Sequence, residues 1–175
     1  MVSLFSSKIL DSIYQIPNEA VSEKLQVLLF SDGSLTRHSE IILGTEIEIE
    51  LHNNTKSMYK QDEKILRGQI PNPRINRQIW LKTVQGVKIA YATSIWKKEI
   101  FYEVFLKKNI ALGNYLIELE YDIYKEIYNI EYIYCYHLEK EFQREGPFWS
   151  RHYFLRHNGE ILASIREVLS PSIYI

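Results

Sequence analysis

The sequence predicts an α+β domain built on an antiparallel sheet, and three patterns predict it. Two pairs of strand-like segments are joined at Asn158-Gly159 and at Gln85-Gly86, and Asn-Gly between apolar alternations is the strongest short-range hairpin signal. Residues 45–52 alternate strictly, with Ile47, Ile49 and Leu51 on one side and Glu46, Glu48 and Glu50 on the other, as a half-solvated antiparallel strand does. Apolar residues at helical spacing in 21–30 supply the α part.

The 175 residues are read as one domain over 1–175, long enough to bury a core. With 46% hydrophobic and 25% charged residues the chain is globular, and a formal net charge of −1 with no long basic run argues against nucleic acid or an anionic membrane as partner. Cys135 is the single cysteine, which excludes an internal disulfide and a multi-cysteine zinc site. No apolar run reaches the length of a membrane span, and the opening MVSLFSSKILDS lacks the pattern of a secretory signal. Tyr outnumbers Gly, 13 to 7, a bias expected of an AT-rich genome such as a plastid's.

Taken in order, residues 1–17 read as a helical or irregular lead-in. Asn18 is the expected cap of a helix carrying Val21, Leu25, Leu28 and Leu29 through Phe30. Ser31-Asp32-Gly33-Ser34 is a turn, and a short helix follows from Leu35 to near Gly44. Residues 53–73 read as a long connection, the kind of segment from which lids are made. In the hairpin around Gln85-Gly86, Ile75, Ile79 and Leu81 share a face with Arg77. With a two-residue loop the facing set on the next strand is Ala90, Ala92 and Ser94, all small, and with a loop one residue longer that set shifts. Room beside a guanidinium on an apolar face suits a carboxylate ligand, which arginine grips bidentately. IFYEVFL within 97–109 reads as a strand, and Asn109 as the cap of a long helix from Ile110 past Ile123. The tyrosines of 121–136, at mixed spacing, read as core and strand packing and not as a nucleic-acid platform, which would need a basic groove. The last hairpin sets Glu167 on a face with Ile161, Ala163, Ile165 and Leu169. A buried carboxylate needs a partner, which is either Arg77 directly, as a structural salt bridge, or Arg77 across a bound ligand.

The strings SDGSLTRHSE (31–40), INRQIWL (75–81), ALGNYL (111–116), EGPFWSRHY (145–153) and IREVLSP (165–171) resemble the chorismate pyruvate-lyase family, in its cyanobacterial and red-algal plastid branch. The resemblance implies a six-stranded antiparallel sheet flanked by helices that form flaps over an internal ligand cavity, in a monomer with neither metal nor cofactor. It implies removal of pyruvate from chorismate to give 4-hydroxybenzoate, feeding plastoquinone synthesis in the plastid stroma or, alternatively, acting in a bacterial cytoplasm. A non-catalytic or altered-substrate binder of small aromatic carboxylates is the other expectation, because ligand-sensing domains of some bacterial regulators share this fold. Residue by residue, Arg77 and Glu167 match the family's catalytic and ligand-binding pair, and Leu35 and Leu112 match its backbone contacts at the two flaps. Where enterobacterial members carry a further arginine, this chain reads Ala92-Thr93-Ser94. His152, placed on the Glu167 face by simple hairpin pairing, is the expected substitute.

Overall fold

The computed structural model describes residues 1–8, 21–55, 69–70, 72–106 and 123–174. Its frame is one seven-stranded sheet in which every neighbouring pair is antiparallel. The strands are β1 (Val2–Lys8), β2 (Ile47–Thr55), β3 (Arg74–Thr83), β4 (Lys88–Lys97), β5 (Ile123–Tyr134), β6 (Phe148–His157) and β7 (Glu160–Leu169), laid out in the order β1-β5-β6-β7-β4-β3-β2. Among the described residues, four α-helices accompany them: α1 (Glu23–Phe30), α2 (Leu35–Leu43), α3 (Lys98–Leu106) and α4 (Tyr136–Phe142). The α+β antiparallel architecture is the expected one, with six strands, β2 to β7, and β1 added at the edge beside β5. The lead-in, read as helical or irregular, thus contains a strand.

Local chemistry sets the helix ends. The Ser22 hydroxyl accepts from the Leu25 N–H at 3.4 Å and opens α1, which buries Leu25, Leu28 and Leu29. Asn18, the expected cap, lies outside the described residues. The Ser34 hydroxyl accepts from the Arg37 N–H and opens α2. That helix closes on Gly44, whose φ of 64° is the left-handed turn glycine adopts without penalty. IFYEVFL is part of α3, not a strand: Ile100, Phe101, Val104 and Phe105 recur at helical spacing and pack with Trp96 and Ile75. Of the expected long helix, 110–122 lie outside the described residues, and Ile123 opens β5. Among the described residues, no helix is long and apolar enough to cross a membrane.

Register assigns the faces. Arg77 pairs with Ser94, Ile79 with Ala92 and Leu81 with Ala90, as expected, and across the next ladder Ser94 meets Ile165 and Ala92 meets Glu167. The face bearing these residues carries two apolar clusters. One joins Leu25, Leu28, Leu29 and Leu35 of α1 and α2 to Ile47, Leu81, Ile130, Trp149 and Leu169. The other joins Phe101 and Val104 of α3 to Ile75, Trp96, Leu155, Ala163 and Ile165. The charged groups of the sheet face lie in the seam between them. On the opposite face, α4 packs Leu138 and Phe142 onto Trp80, Phe148 and Val168.

Candidate functional site

Glu167 is buried on β7, and the group it meets is Arg151 of β6. Arg151 Nε donates to Glu167 Oε2 at 2.6 Å, and the Tyr153 hydroxyl donates to Oε1 at 2.9 Å. The geometry follows from a bulge. The Asn158-Gly159 turn has positive φ at both residues, 48° and 78°, and sets His157 opposite Glu160. Arg156 then pairs with Ile161, but Leu155 pairs with Ala163, so Leu162 is an extra residue in β7. One extra residue exchanges the faces of everything beyond it. Arg151 and Tyr153 therefore join Glu167, and His152 turns to the other side.

His152 is thus corrected: it does not share the Glu167 face. Its ring contacts Glu131 Oε2 at 2.9 Å, and Arg166 Nη2 donates to the same oxygen at 2.9 Å. Burial opposes the charge of Glu131, but His152 and Arg166 outweigh it and hold the carboxyl low. This cluster ties β5, β6 and β7 together on the α4 side of the sheet.

Arg77 lies on the same face as Glu167 but forms no ion pair with it among the described residues. Two strand spacings and two residues separate them, about 12 Å between Cα positions, with Ala92 and Ser94 in the gap. The guanidinium of Arg77 lies over the Phe105 ring of α3, 4.5 Å from its centroid, and burial lowers its pKa. On this face the small side chains of Ala92 and Ser94 on β4 lie between Arg77 at one end and Glu167 at the other.

Three residues that sequence reasoning missed complete the far end. Arg151 is fully buried at 0% exposure, and its Nη1 donates to the carbonyl of Ser31 at 2.8 Å. Lys125 of β5 donates to the Gly33 carbonyl at 2.5 Å and lies 4.9 Å from the centroid of the Tyr153 ring. Two cations from the sheet thus hold the turn between α1 and α2. His38 of α2 packs over that turn, and a Cβ at position 33 would come within 2.6 Å of its ring, so a side chain there would have to displace the His38 ring. Leu35, the first residue of α2, is buried beside the same turn. Leu112 lies outside the described residues.

The electrostatics follow from burial and charge. Burial alone would raise the Glu167 carboxyl, but Arg151 and then Lys125 outweigh it and hold it below the usual carboxylate range. Burial pushes the Lys125 ammonium down to about 8, against the pull of Glu167. Burial, with Glu167 alongside, drives the Tyr153 phenol well up. The seam therefore holds three cations, Arg77, Arg151 and Lys125, against one buried carboxylate. No group of three His, Cys, Asp or Glu side chains gathers there or elsewhere among the described residues.

Comparison with known proteins gives this arrangement a context. A family model described as Chorismate pyruvate-lyase Rv2949c-like matches residues 29–174. The uncharacterized protein ycf21 of Porphyra purpurea is 35% identical over 146 residues, 83% of this chain and 80% of its own length. The ycf21 protein of Cyanophora paradoxa is 30% identical over 161 residues, 91% of this chain and 83% of its own. Among solved structures, the effector domain of PhnF from Mycobacterium smegmatis superposes with a TM-score of 0.59 at 12% identity, covering 82% of this chain and 92% of that one. A GntR-family transcriptional regulator from Enterococcus faecalis V583 gives 0.55 at 6% identity, covering 73% and 96%. Likeness at such low identity carries the fold alone.

Proposed function

The chain belongs to the Chorismate pyruvate-lyase Rv2949c-like family, and from that membership we propose that it removes pyruvate from chorismate to give 4-hydroxybenzoate. The observation that carries the proposal is the pair of small residues, Ala92 and Ser94, between Arg77 at one end and the Glu167–Arg151 pair at the other, which we read as the ligand slot. Arg77 holds the ring carboxylate. Glu167 accepts a hydrogen bond from the ring 4-hydroxyl at the opposite end, through lone pairs that Tyr153 and Arg151 leave free. The backbone at Leu35, and that at Leu112, make the remaining contacts that the family resemblance assigns.

In the reaction the C3–O bond breaks and its electron pair leaves with the enolpyruvyl oxygen. The proton lost from C4 is matched by the one gained at the methylene carbon as pyruvate forms. The ring becomes aromatic, which supplies the driving force. The protein's part is orientation and stabilisation of the negative charge that develops on the departing oxygen. A general base works best with a pKa near the operating pH, whereas Glu167 is held low by Arg151 and Lys125. With both its oxygens already bonded, to Arg151 and Tyr153, its role here is that of a fixed acceptor that orients the 4-hydroxyl. The Tyr- and Ile-rich composition and the relatives in Porphyra purpurea and Cyanophora paradoxa support the plastid as its place of action, and plastoquinone synthesis as the use of its product is what the family resemblance implies.

A second reading, a non-catalytic binder of small aromatic carboxylates, has one observation in its favour: a superposing structure is an effector domain. One assay separates the two. Purified protein given chorismate is expected to release pyruvate and 4-hydroxybenzoate in equal amounts. Arg77→Ala is expected to lower kcat/KM by about 10–100-fold, the worth of a hydrogen-bonded charge pair, with an unchanged melting temperature. Binding of 4-hydroxybenzoate without any release of pyruvate from chorismate would establish the binder instead.

A further inference from the structure

The buried end of the seam holds more hydrogen-bond donors than the fold uses. Arg151 spends Nε on Glu167 and Nη1 on the Ser31 carbonyl, but its Nη2 is buried and has no partner among the described residues. An unmatched donor on a fully buried cation is costly, and native structures rarely keep one without a reason. Lys125 carries three N–H groups, of which the Gly33 carbonyl takes one. The Nδ1 atom of His38 is likewise buried and unpartnered, and Arg151 and Lys125 are the charges that, after burial, lower its pKa most. Groups from α2, β5 and β6 thus converge beside Glu167 with donor capacity to spare. Among the described residues, the charges at this end are Arg151 and Lys125 against the buried Glu167, with Asp32 on the exposed turn beside Lys125.

The substrate proposed above has two carboxylates, whereas its aromatic product has one. With the ring carboxylate at Arg77 and the 4-hydroxyl at Glu167, the enolpyruvyl group on C3, the adjacent ring carbon, must lie at the Glu167 end. We propose that Lys125 and the Nη2 of Arg151 form a second anion subsite, which takes the enolpyruvyl carboxylate. His38 borders it as an uncharged donor or acceptor. This inference rests on the lyase reading for the order in which the substrate lies along the slot. It gives a function to the chain's lack of an arginine at 92–94: the second carboxylate is met from β5 and β6, not from β4.

The subsite has a pH signature. The groups facing Lys125 are Glu167 on β7, Arg151 and Tyr153 on β6, and Asp32 and His38 on the turn and α2. Glu167 is held low, Tyr153 is driven up and His38 is lowered, so of the shifted groups around the subsite Lys125 alone changes charge near pH 8. Affinity for a second carboxylate therefore falls as pH rises through about 8 and Lys125 loses its proton.

The test uses 3-(1-carboxyvinyloxy)benzoate, an aromatic dicarboxylate that cannot eliminate, beside 4-hydroxybenzoate, each titrated calorimetrically into the full chain. Lys125→Gln is expected to weaken the dicarboxylate by about 10–100-fold while leaving 4-hydroxybenzoate within about threefold. Lys125→Arg restores most of the difference. In the unmodified protein, the affinity ratio of the two ligands is expected to fall between about pH 7 and about pH 9.5, a readout that does not depend on any variant folding. Equal weakening of both ligands, no weakening of the dicarboxylate, or a pH-independent ratio overturns the subsite. Chorismate turnover by the unmodified protein is measured separately. If turnover fails but dicarboxylate binding still depends on Lys125, the subsite stands and the lyase reading falls. If Lys125→Gln turns over chorismate with an unchanged KM, the subsite falls and the lyase reading stands.

Discussion

At the scale of single residues, Glu167 and Arg151 decide the stability of the site. Each is buried, and each carries a charge that would cost several kcal/mol if left alone. Glu167 has its folded pKa depressed below the unfolded value, so its contribution is present above the unfolded pKa and is lost as pH falls through the folded one. Arg151→Met leaves the carboxylate without its cation and is expected to cost about 3–5 kcal/mol at neutral pH. The cost is expected to shrink in acid, where the variant's buried carboxyl, no longer held low by Arg151, takes up a proton. Replacing both residues, as Arg151→Met with Glu167→Leu, removes the unpaired charge and should recover most of the loss. Urea unfolding at pH 7 and pH 4 measures all of this, and a cost that grows in acid would contradict the assigned pairing.

At the scale of elements, the β6–β7 hairpin shows what can and cannot be read from a sequence. The alternation of β7 was legible because Glu167 breaks an apolar set, and the Asn158-Gly159 turn was legible because few other pairs accept positive φ at both positions. The partner was not legible. Residues 148–155 are buried on both faces, so polar and apolar positions carry no parity, and the bulge at Leu162 lies in a run, Ile161-Leu162-Ala163, that is apolar throughout. Counting from the turn without that extra residue places His152 on the Glu167 face instead of Arg151. The strand expected over IFYEVFL failed for a related reason: Ile, Phe, Tyr and Val favour strands intrinsically, but their spacing suits a helix packed on Trp96. Arg77 was placed on the right face although its hairpin also shifts register: the loop is one residue longer than a two-residue turn, closing from Thr83 to Val87, and an extra residue, Ile89, in β4 offsets it. Leu162 now has a testable role. Leu162→Ala keeps the residue count and is expected to cost about 2–4 kcal/mol as a core truncation. Deleting Leu162 exchanges the faces of β6 relative to β7, separates Arg151 from Glu167, and is expected to abolish cooperative unfolding. A deletion no worse than the alanine variant would show that the bulge does not set the site.

At the scale of the whole molecule, the sheet divides its helix-covered face between two apolar clusters and keeps its charges in the seam. The α1–α2 turn closes one side of that seam through carbonyls of Ser31 and Gly33, held by Arg151 and Lys125. Helix α3 approaches the other through Phe105 stacked on Arg77. The free protein therefore carries repulsion between buried cations that an anionic ligand relieves, and a ligand that binds only the folded state stabilises it by about 2.7 kcal/mol at a hundred times its Kd. Surface pairs such as Lys82 with Glu48 and Glu50 are screened by salt, whereas charges in the seam are screened far less. The expected outcome is a rise in melting temperature with 4-hydroxybenzoate that grows with the logarithm of ligand concentration, survives about 0.5 M salt, and is lost in Arg77→Ala. Differential scanning fluorimetry over a ligand series measures it. A rise of equal size in Arg77→Ala would mean that Arg77 does not hold the ligand's carboxylate.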